Sequence, residues 1–382
     1  MKILHTSDWH LGKLFHAVNL VEDQRHVLRQ IIAMVEHEKP DAVVVAGDIY
    51  DRAVPPAEAV ELLDWVLTEF VNRLATPTIL IAGNHDSPDR LQFGSTLLRK
   101  HGLHVVGRLD GDLAPIPIGK DGNAGFICPV PFADPATARE QLDDATITTH
   151  EAALRAIAGR FRDSLPAGAA SVLVAHAYVA GGSPSDSERT LSVGGADQVA
   201  ADCFDGFSYT ALGHLHRPQD VTNPRVRYSG SLLKLSRSEA ATAKSVSLVE
   251  VSSDGTCILR ELPLVPRHDV REIEGTLADI EAGACTDGNC DDYLYVKLLD
   301  TAMPVNAMSR LRVRFPNVVD VNVSDAIAAT TGAAEGRALR KLDDITMFGE
   351  FMKAATDHEM TADERALVAA AIEATATAEV LS

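Results

Sequence analysis

The segment MKILHTSDWHLGK, residues 1–13, opens the pattern that decides the fold. An apolar stretch suited to a buried strand leads directly into Asp8 and His10. Residues two apart in an extended chain point to the same side, so these two side chains can reach a common ligand. The segment therefore predicts a strand that delivers two metal-binding side chains at its carboxyl end.

Four more clusters of metal-ligand residue types follow, each at the end of a predicted strand. They are Gly47-Asp48-Ile49-Tyr50-Asp51, Gly83-Asn84-His85-Asp86, the single His176, and Gly213-His214-Leu215-His216. Ligands collect at the carboxyl ends of strands in open α/β sheets. Carboxylate, amide and imidazole groups together suit Mn²⁺, Fe²⁺ or Zn²⁺, and no cysteine takes part. Any one cluster is commonly structural, but five in order predict a metal centre.

The first half of the chain alternates strand-like and helix-like patterns. Apolar runs predict strands at 42–46, 78–82 and 172–175, and apolar residues with helical spacing lie between the first two. Thr148 and Glu151 form a predicted capping box for a later helix. Strands separated by helices predict a layered α/β core. Shorter strands that complete it are predicted at 209–212, 226–229, 245–251 and 257–262.

The length of 382 residues predicts more than one domain. The core is expected over 1–267 and a small α+β capping domain over 268–323, with strands near 293–299 and 318–323. Residues 324–340, rich in Ala, Thr and Gly, predict a linker. Residues 341–382 predict two amphipathic helices that either bind a partner or fold back on the core. The apolar face of the first helix consists of Ile345, Phe348, Phe351 and Met352. The second helix begins with a capping box of Thr361 and Glu364, and its apolar face consists of Leu367, Val368, Ala371 and Ile372.

The charge balance argues against direct nucleic-acid binding by a basic face. The formal net charge is −19, from 54 acidic and 35 basic residues. Phosphate contact usually needs a basic surface. Two alternatives remain open, because bound divalent cations can reverse the sign locally and a partner can supply basic surface.

The sequence also indicates the compartment. No stretch approaches the ~20 apolar residues of a membrane helix, and the start lacks a long apolar secretory core. The five cysteines are sparse, which favours reduced thiols, although Cys285 and Cys290 lie close enough to be either free or joined. A cytoplasmic, nucleoid-associated protein is expected.

The five clusters resemble the calcineurin-like metallophosphoesterase family, whose pattern is D-x-H, G-D-x-x-D, G-N-H-D, a lone H, and G-H-x-H. The resemblance implies two β-sheets flanked by helices and two metals ~3.5–4 Å apart. It assigns to one metal Asp8, His10, Asp48 and His216. It assigns to the other Asn84, His176 and His214, with Asp48 bridging both.

The same resemblance implies roles for residues beside the metals. His85 is the expected catalytic imidazole, which as imidazolium stabilises or protonates the leaving oxygen, with Asp86 orienting it. Asp51, Arg52 and Arg90 are expected either to support a metal ligand or to contact a phosphate.

The sequence segments around these motifs resemble a narrower family. Residues 4–13, 46–56, 83–91 and 185–195 resemble the family of SbcD nuclease subunits of bacterial SbcCD complexes. This implies an Mn²⁺-dependent exonuclease and endonuclease for duplex ends, hairpins and blocked ends in DNA repair, recombination and replication. It also implies an SbcC-type coiled-coil ATPase as partner. The chain contains no G-x-x-x-x-G-K-[ST] nucleotide-binding motif of its own.

The family likeness further implies a homodimer within a heterotetramer on double-stranded DNA. Candidate dimer residues lie in the helices after Asp48 and Asp86, although core burial explains the same pattern. They are Leu62, Trp65, Val66, Leu97 and Leu98. Two other functions stay open, a small-molecule phosphodiesterase of the same superfamily and a non-catalytic scaffold for a DNA-binding ATPase.

Overall fold

The computed structural model describes residues 1–110, 113–119, 125–188, 198–283 and 288–323, together with positions 349, 352, 360–361, 364–365 and 367–368. The chain divides into two compact units, Met1–Arg271 and Glu272–Ser382. The finer boundaries expected after residues 267, 323 and 340 stay predictions. Among the described helices, none combines the length and hydrophobicity that crossing a bilayer requires.

The elements of the first unit follow one another in an alternating order. They are β1 (Lys2–Thr6), β2 (Leu14–Phe15), β3 (Val18–Asn19), α1 (Val21–Glu38), β4 (Ala42–Ala46), α2 (Ala57–Thr68) with a π-helical turn (Glu69–Arg73), β5 (Thr78–Ile81), α3 (Pro88–Gln92), α4 (Ser95–Arg99), β6 (Leu103–Val106), β7 (Ile116–Ile118), β8 (Gly125–Val130), α5 (Pro135–Leu142), α6 (His150–Ser164), β9 (Ser171–His176), a 3₁₀ turn (Ala201–Phe204), β10 (Tyr209–Gly213), β11 (Gln219–Val221), β12 (Asn223–Tyr228), a 3₁₀ turn (Arg237–Glu239), β13 (Lys244–Val251) and β14 (Cys257–Leu264).

Two six-stranded sheets form the centre of this unit in the described part of the chain. Their strand orders are β14-β13-β1-β4-β5-β6 and β11-β12-β10-β9-β8-β7. Strands β1, β4, β5 and β6 run parallel, as do β8, β9, β10 and β12, so their carboxyl ends share an edge in each sheet. The predicted α/β class with two layered sheets is confirmed.

Apolar side chains from both sheets meet in one core. The run Ala42–Ala46 is wholly buried, as expected for a parallel strand covered on both faces. This core includes Ile3, Val44, Ile79 and Val172. Helices α5 and α6 cover the other face of the second sheet, where Phe161 and Leu154 are buried. The two sheets are thereby packed against each other through their apolar faces.

The second unit has a small core of its own. Its elements are β15 (Val270–Gly275, which begins just before the division), α7 (Leu277–Ala282), β16 (Tyr293–Leu298), α8 (Ala307–Leu311) and β17 (Val318–Val323). The three strands form one sheet in the order β15-β16-β17. Ile280 of α7 and Leu311 of α8 pack on Leu294 and Val296 of β16 in this α+β arrangement.

Several local predictions are changed by the structure. The N-cap of α6 is Thr149 rather than Thr148, because the Thr149 hydroxyl accepts from the backbone N–H of Ala152. Leu62 and Val66 are fully buried, so core packing and not a dimer surface explains them. Trp65 is half-buried, while Leu97 is 72% exposed and Leu98 37%.

The C-terminal predictions fall mostly outside the described residues. The capping box of Thr361 and Glu364 is confirmed, because each residue's backbone N–H donates to the other's side chain, at 2.8 and 3.3 Å. Met352, Leu367 and Val368 are helical. The predicted positions Ile345, Phe348, Phe351, Ala371 and Ile372, the linker 324–340, and Cys285 of the cysteine pair lie outside the described residues.

Candidate metal centre

The carboxyl ends of five strands from the two sheets meet at one place. The predicted ligands there are Asp8 and His10 after β1, Asp48 after β4, Asn84 after β5, His176 at the end of β9, and His214 with His216 after β10. The sheets are joined directly at this edge, since the backbone N–H of His214 donates to Asp8 Oδ1 at 3.0 Å. Side chains far apart in sequence are therefore brought into one buried site.

Glycines let the strand ends approach this closely. A Cβ on Gly213 would lie 1.9 Å from the Ala46 carbonyl oxygen, and one on Gly83 would lie 2.2 Å from Asp48 Oδ1. Both distances are far inside van der Waals contact. A Cβ on Gly47, whose φ is 88°, would lie 2.4 Å from His176 Nδ1, so glycine is needed at all three of the turns before Asp48, Asn84 and His214.

The backbone of the site is strained. Asp8, His10, Asp48 and His214 all have φ in the left-handed region, at 51°, 45°, 49° and 111°. Such conformations cost about 1–3 kcal/mol each in non-glycine residues and cluster at functional sites. The surrounding sheets therefore hold these residues in backbone conformations that they would not adopt in an unconstrained chain.

The first predicted ligand set comes together around His10. Asp8, His10 and His216 each offer a ligand atom within 4.8 Å of the others. His10 Nε2 lies 3.0 Å from His216 Nε2 and 3.7 Å from Asp48 Oδ2. All four residues are buried.

The second predicted set lies against the same aspartate. His176 Nε2 lies 3.5 Å from Asp48 Oδ2 and 2.9 Å from Asn84 Oδ1. His214 Nδ1 lies 3.1 Å from the same Asn84 oxygen. Asp48 thus faces members of both sets.

The donor atoms of the site fit divalent cations. His176 Nδ1 donates to the Ala46 carbonyl at 2.9 Å, so the neutral ring carries its lone pair on Nε2. That lone pair faces the oxygens of Asn84 and Asp48, which also carry lone pairs. A positive charge between these atoms removes their mutual repulsion, and imidazole with carboxylate and amide oxygens is a set that Mn²⁺ or Zn²⁺ accepts.

The titration of these groups reflects the crowding of charge. Burial opposes ionisation of Asp48, yet His176, His10 and His85 hold the pKa of its carboxyl well below the usual value. Burial likewise disfavours the charged form of His176, but Asp48 raises its pKa to about 9. Burial raises the pKa of Asp8 to about 6. Without cations, protons on these side chains balance the negative charge of the carboxylates. Bound cations would take over that role.

The candidate catalytic imidazole His85 lies against the first set. It is 6% exposed, its Nε2 is 3.9 Å from Asp48 Oδ2, and its ring centroid is 4.8 Å from that of His10. Its Nδ1 donates to the Asp51 carbonyl oxygen at 2.8 Å. This hydrogen bond leaves Nε2 directed toward the site.

Asp86, the residue predicted to orient His85, is bonded to backbone groups of the site. Its carboxylate accepts backbone N–H groups of Gly83, Ile49 and Tyr50 at 2.8, 3.0 and 2.9 Å, so it joins two turns of the site. Burial, together with the charge of Asp48, raises the pKa of Asp86 to about 7. His85 Nδ1 donates to the Asp51 backbone carbonyl, and the orienting role of Asp86 stays a prediction.

The three accessory residues are placed differently from one another. The Asp51 carboxylate accepts from Lys13 Nζ at 2.8 Å and lies 3.5 Å from His10 Nδ1, beside a ligand. Arg52 follows it and is exposed, and Arg90 is exposed on α3. Phosphate contact by these two arginines stays a prediction.

Four functional candidates were not predicted from the sequence. Ser187, Glu188, Glu239 and Lys244 form a polar network around His216. Ser187 and Glu188 lie in a stretch that carries the family resemblance, which was a usable signal. No motif marks Glu239 or Lys244, because only the tertiary fold brings them to His216.

Two protein-family models match successive parts of the chain. A family model described as calcineurin-like phosphoesterase matches residues 1–218. One described as Type 5 capsule protein repressor C-terminal domain matches residues 266–356. Among solved structures, TT1561 of Thermus thermophilus matches at 13% identity with a TM-score of 0.37, covering 68% of this chain and 98% of that chain, a likeness too weak to support an argument.

Two curated proteins resemble the chain over almost its whole length. A protein of Staphylococcus epidermidis, named as the D subunit of the nuclease SbcCD, is 32% identical over 362 residues, covering 94% of this chain and 95% of the relative. A protein of Staphylococcus saprophyticus with the same name is 32% identical over 364 residues, covering 95% and 96%.

Proposed function

This chain belongs to the calcineurin-like phosphoesterases and, within them, to the SbcD family of nuclease subunits, and from that premise we propose that it is a two-metal DNA nuclease. Its proposed substrates are duplex ends, hairpins and blocked ends, cut exonucleolytically and endonucleolytically with Mn²⁺ during DNA repair, recombination and replication. The observation that carries the proposal is the convergence of two ligand sets on the buried carboxylate of Asp48.

The residues of the chain have separable proposed roles. Asp8, His10 and His216 would hold one cation, Asn84, His176 and His214 the other, and Asp48 would bridge them. Bound cations supply an activated nucleophile near neutral pH and neutralise phosphoryl oxygens. His85 Nε2 would hold a proton next to the leaving oxygen, positioned by the Asp51 carbonyl.

A partner explains how so acidic a chain acts on DNA. The relatives are named as subunits of SbcCD, and we infer an SbcC-type coiled-coil ATPase as partner of this chain as well. This chain has a net charge of −19, and that partner would supply the basic surface that DNA binding needs. Leu367, 75% exposed in the predicted C-terminal helices, fits such an interface.

The remaining proposals concern assembly and location. The exposed apolar residues Phe93 and Leu97, which follow the His85 turn and α3 in the chain, are the proposed dimer surface, at 86% and 72% exposure. A homodimer within a heterotetramer, in the cytoplasm at the nucleoid, is the proposed working form.

One assay tests the function. The purified full chain is incubated with Mn²⁺ on hairpin DNA, linear duplex DNA and a small phosphodiester, bis-p-nitrophenyl phosphate, and then with EDTA. We expect cleavage of both DNAs that stops on chelation. Cleavage of the small ester alone would identify a small-molecule phosphodiesterase instead.

Two variants complete that assay. Deleting residues 341–382 is expected to abolish binding of the ATPase and retain basal cleavage. His85→Ala is expected to retain metal and lose cleavage. Metal binding without any cleavage by the unaltered chain would indicate a scaffold.

A further inference from the structure

The segment 185–188 carries part of the family resemblance, but the proposed reaction assigns it no task. In the structure it packs against His216. Ser187 Oγ lies 2.6 Å from His216 Nδ1 and donates to Glu239 Oε1 at 2.7 Å. The backbone N–H of His216 donates to Glu188 Oε1 at 2.8 Å. The segment therefore contacts a candidate metal ligand at two of its polar atoms.

The hydrogens of this chain of contacts determine the tautomer of His216. An ionised carboxylate only accepts, so the single hydroxyl hydrogen of Ser187 is directed to Glu239. The Ser187 oxygen then accepts a hydrogen from His216 Nδ1. A neutral imidazole with its hydrogen on Nδ1 carries its lone pair on Nε2, the atom that lies 3.0 Å from His10 Nε2.

Glu239 is itself held in place. Its side chain is 0% exposed, its Oε2 accepts from Lys244 Nζ at 2.5 Å, and its Oε1 accepts from Ser236 Oγ at 2.9 Å. Lys244 Nζ also donates to the backbone carbonyl of His216 at 2.6 Å. The Nδ1 atom, the backbone N–H and the backbone C=O of His216 are thus bonded to Ser187, Glu188 and Lys244 respectively.

A buried ion pair is weak evidence for stability, because well-packed apolar residues often serve as well or better. Its retention next to a candidate ligand therefore suggests a specific task. Hydrogen-bond partners of ligating histidines are known to set the ring orientation and the tautomer. The Glu239–Lys244 pair is suited to that task because it cannot turn toward solvent.

We propose that Ser187 and Glu239 are positioning residues, which hold His216 as the Nδ1–H tautomer so that Nε2 is free to ligate a cation. The inference deepens the proposed function and rests on it for the cation itself. It does not rest on it for the tautomer, which is a property of the metal-free chain.

The experiment uses the full chain with ¹⁵N-labelled histidine and three variants. Ser187→Ala removes the hydroxyl, and Ser187→Thr retains it. Ser236→Ala is the matched control, because Ser236 donates to the same oxygen of Glu239 as Ser187 does. The His216 tautomer is determined in metal-free protein by long-range ¹H–¹⁵N correlation, and Mn²⁺ affinity by calorimetry.

We expect the Nδ1–H tautomer in the unaltered chain, in Ser187→Thr and in Ser236→Ala, and its loss in Ser187→Ala. One of two Mn²⁺ sites should weaken about 10- to 100-fold in Ser187→Ala only. Retention of the Nδ1–H tautomer in Ser187→Ala would overturn the inference. An unaltered chain that binds no Mn²⁺ would contradict the proposed function instead, and the tautomer result would still decide the positioning roles.

Discussion

His216 and His176 are both buried at the carboxyl ends of neighbouring strands in the second sheet, but different parts of the protein hold their rings. His176 Nδ1 donates to a backbone carbonyl, that of Ala46 in the first sheet. His216 Nδ1 is bonded to a hydroxyl, that of Ser187, which Glu239 and Lys244 support. One ligand is positioned by the fold and the other by replaceable side chains.

The two halves of the centre can vary in different ways. The Ala46 carbonyl is fixed by the pairing of β4, so no side-chain substitution removes it, whereas a single substitution removes the Ser187 hydroxyl. The two halves should therefore respond to different changes. The candidate bridge Asp48 belongs to both halves, so a substitution there should affect both.

The largest effect is expected where the halves meet. Asp48→Asn keeps the size of the side chain and removes its charge, so we expect both cations to be lost and cleavage to fall by about 10³-fold or more. Metal content by mass spectrometry and initial cleavage rates test this. Two bound ions in Asp48→Asn would refute the bridging role of Asp48.

His85→Ala should separate chemistry from metal binding in both halves. The side chain is not among the proposed ligands, so metal content should stay unchanged while cleavage falls about 10²- to 10⁴-fold. The cleavage rate is compared with the metal content of the same preparation. A proportional loss of metal would instead place His85 among the ligands.

Gly213→Ala should damage the half that the backbone holds. The new Cβ would lie 1.9 Å from the Ala46 oxygen and 2.9 Å from His176 Nδ1. We expect a loss of about 3 kcal/mol in the free energy of unfolding, because neither strand can move freely. Urea denaturation measures it.

The control for that change is Gly159→Ala at a half-buried position of α6, where the nearest atom outside the helix backbone would be Arg162 Nη2, 3.9 Å away. This variant should be neutral or gain up to about 1 kcal/mol. Equal stability of the two variants would show that the close approach at Gly213 is not required.

A third buried histidine gives a reference that takes no cation. His5 is bonded to the Tyr209 hydroxyl at 3.0 Å and to the Leu212 carbonyl at 3.1 Å, so the protein satisfies both ring nitrogens. Burial lowers its pKa from 6.5 to about 3. Between these values only the unfolded chain binds the proton, so this contribution to stability is present above pH 6.5 and is lost as pH falls toward 3.

The smallest predicted effect follows from that sign. Near pH 5, His5→Gln should reduce the pH slope of the free energy of unfolding by up to about 1.4 kcal/mol per pH unit. Urea denaturation of both chains at pH 5, 6 and 7 measures the difference. Parallel slopes would mean that His5 titrates equally in the folded and unfolded states.

The sequence predicts the centre well where chemistry is encoded locally. Asp8, His10 and the later clusters stand in short patterns at the ends of apolar runs, and β4, β5 and β9 are such runs. Strands β6 and β8 were missed because His104 and Pro129 interrupt their apolar character. Glu239 was missed for another reason, since its contact with Ser187 joins residues 52 apart through tertiary packing alone.

The most direct measurement is anomalous diffraction at the manganese edge from crystals of the full chain grown with Mn²⁺. We expect two peaks ~3.5–4 Å apart, one on each side of the Asp48 carboxylate, with His216 and His176 at different peaks. A single peak, or peaks away from Asp48, would rule out two cations bridged by this carboxylate.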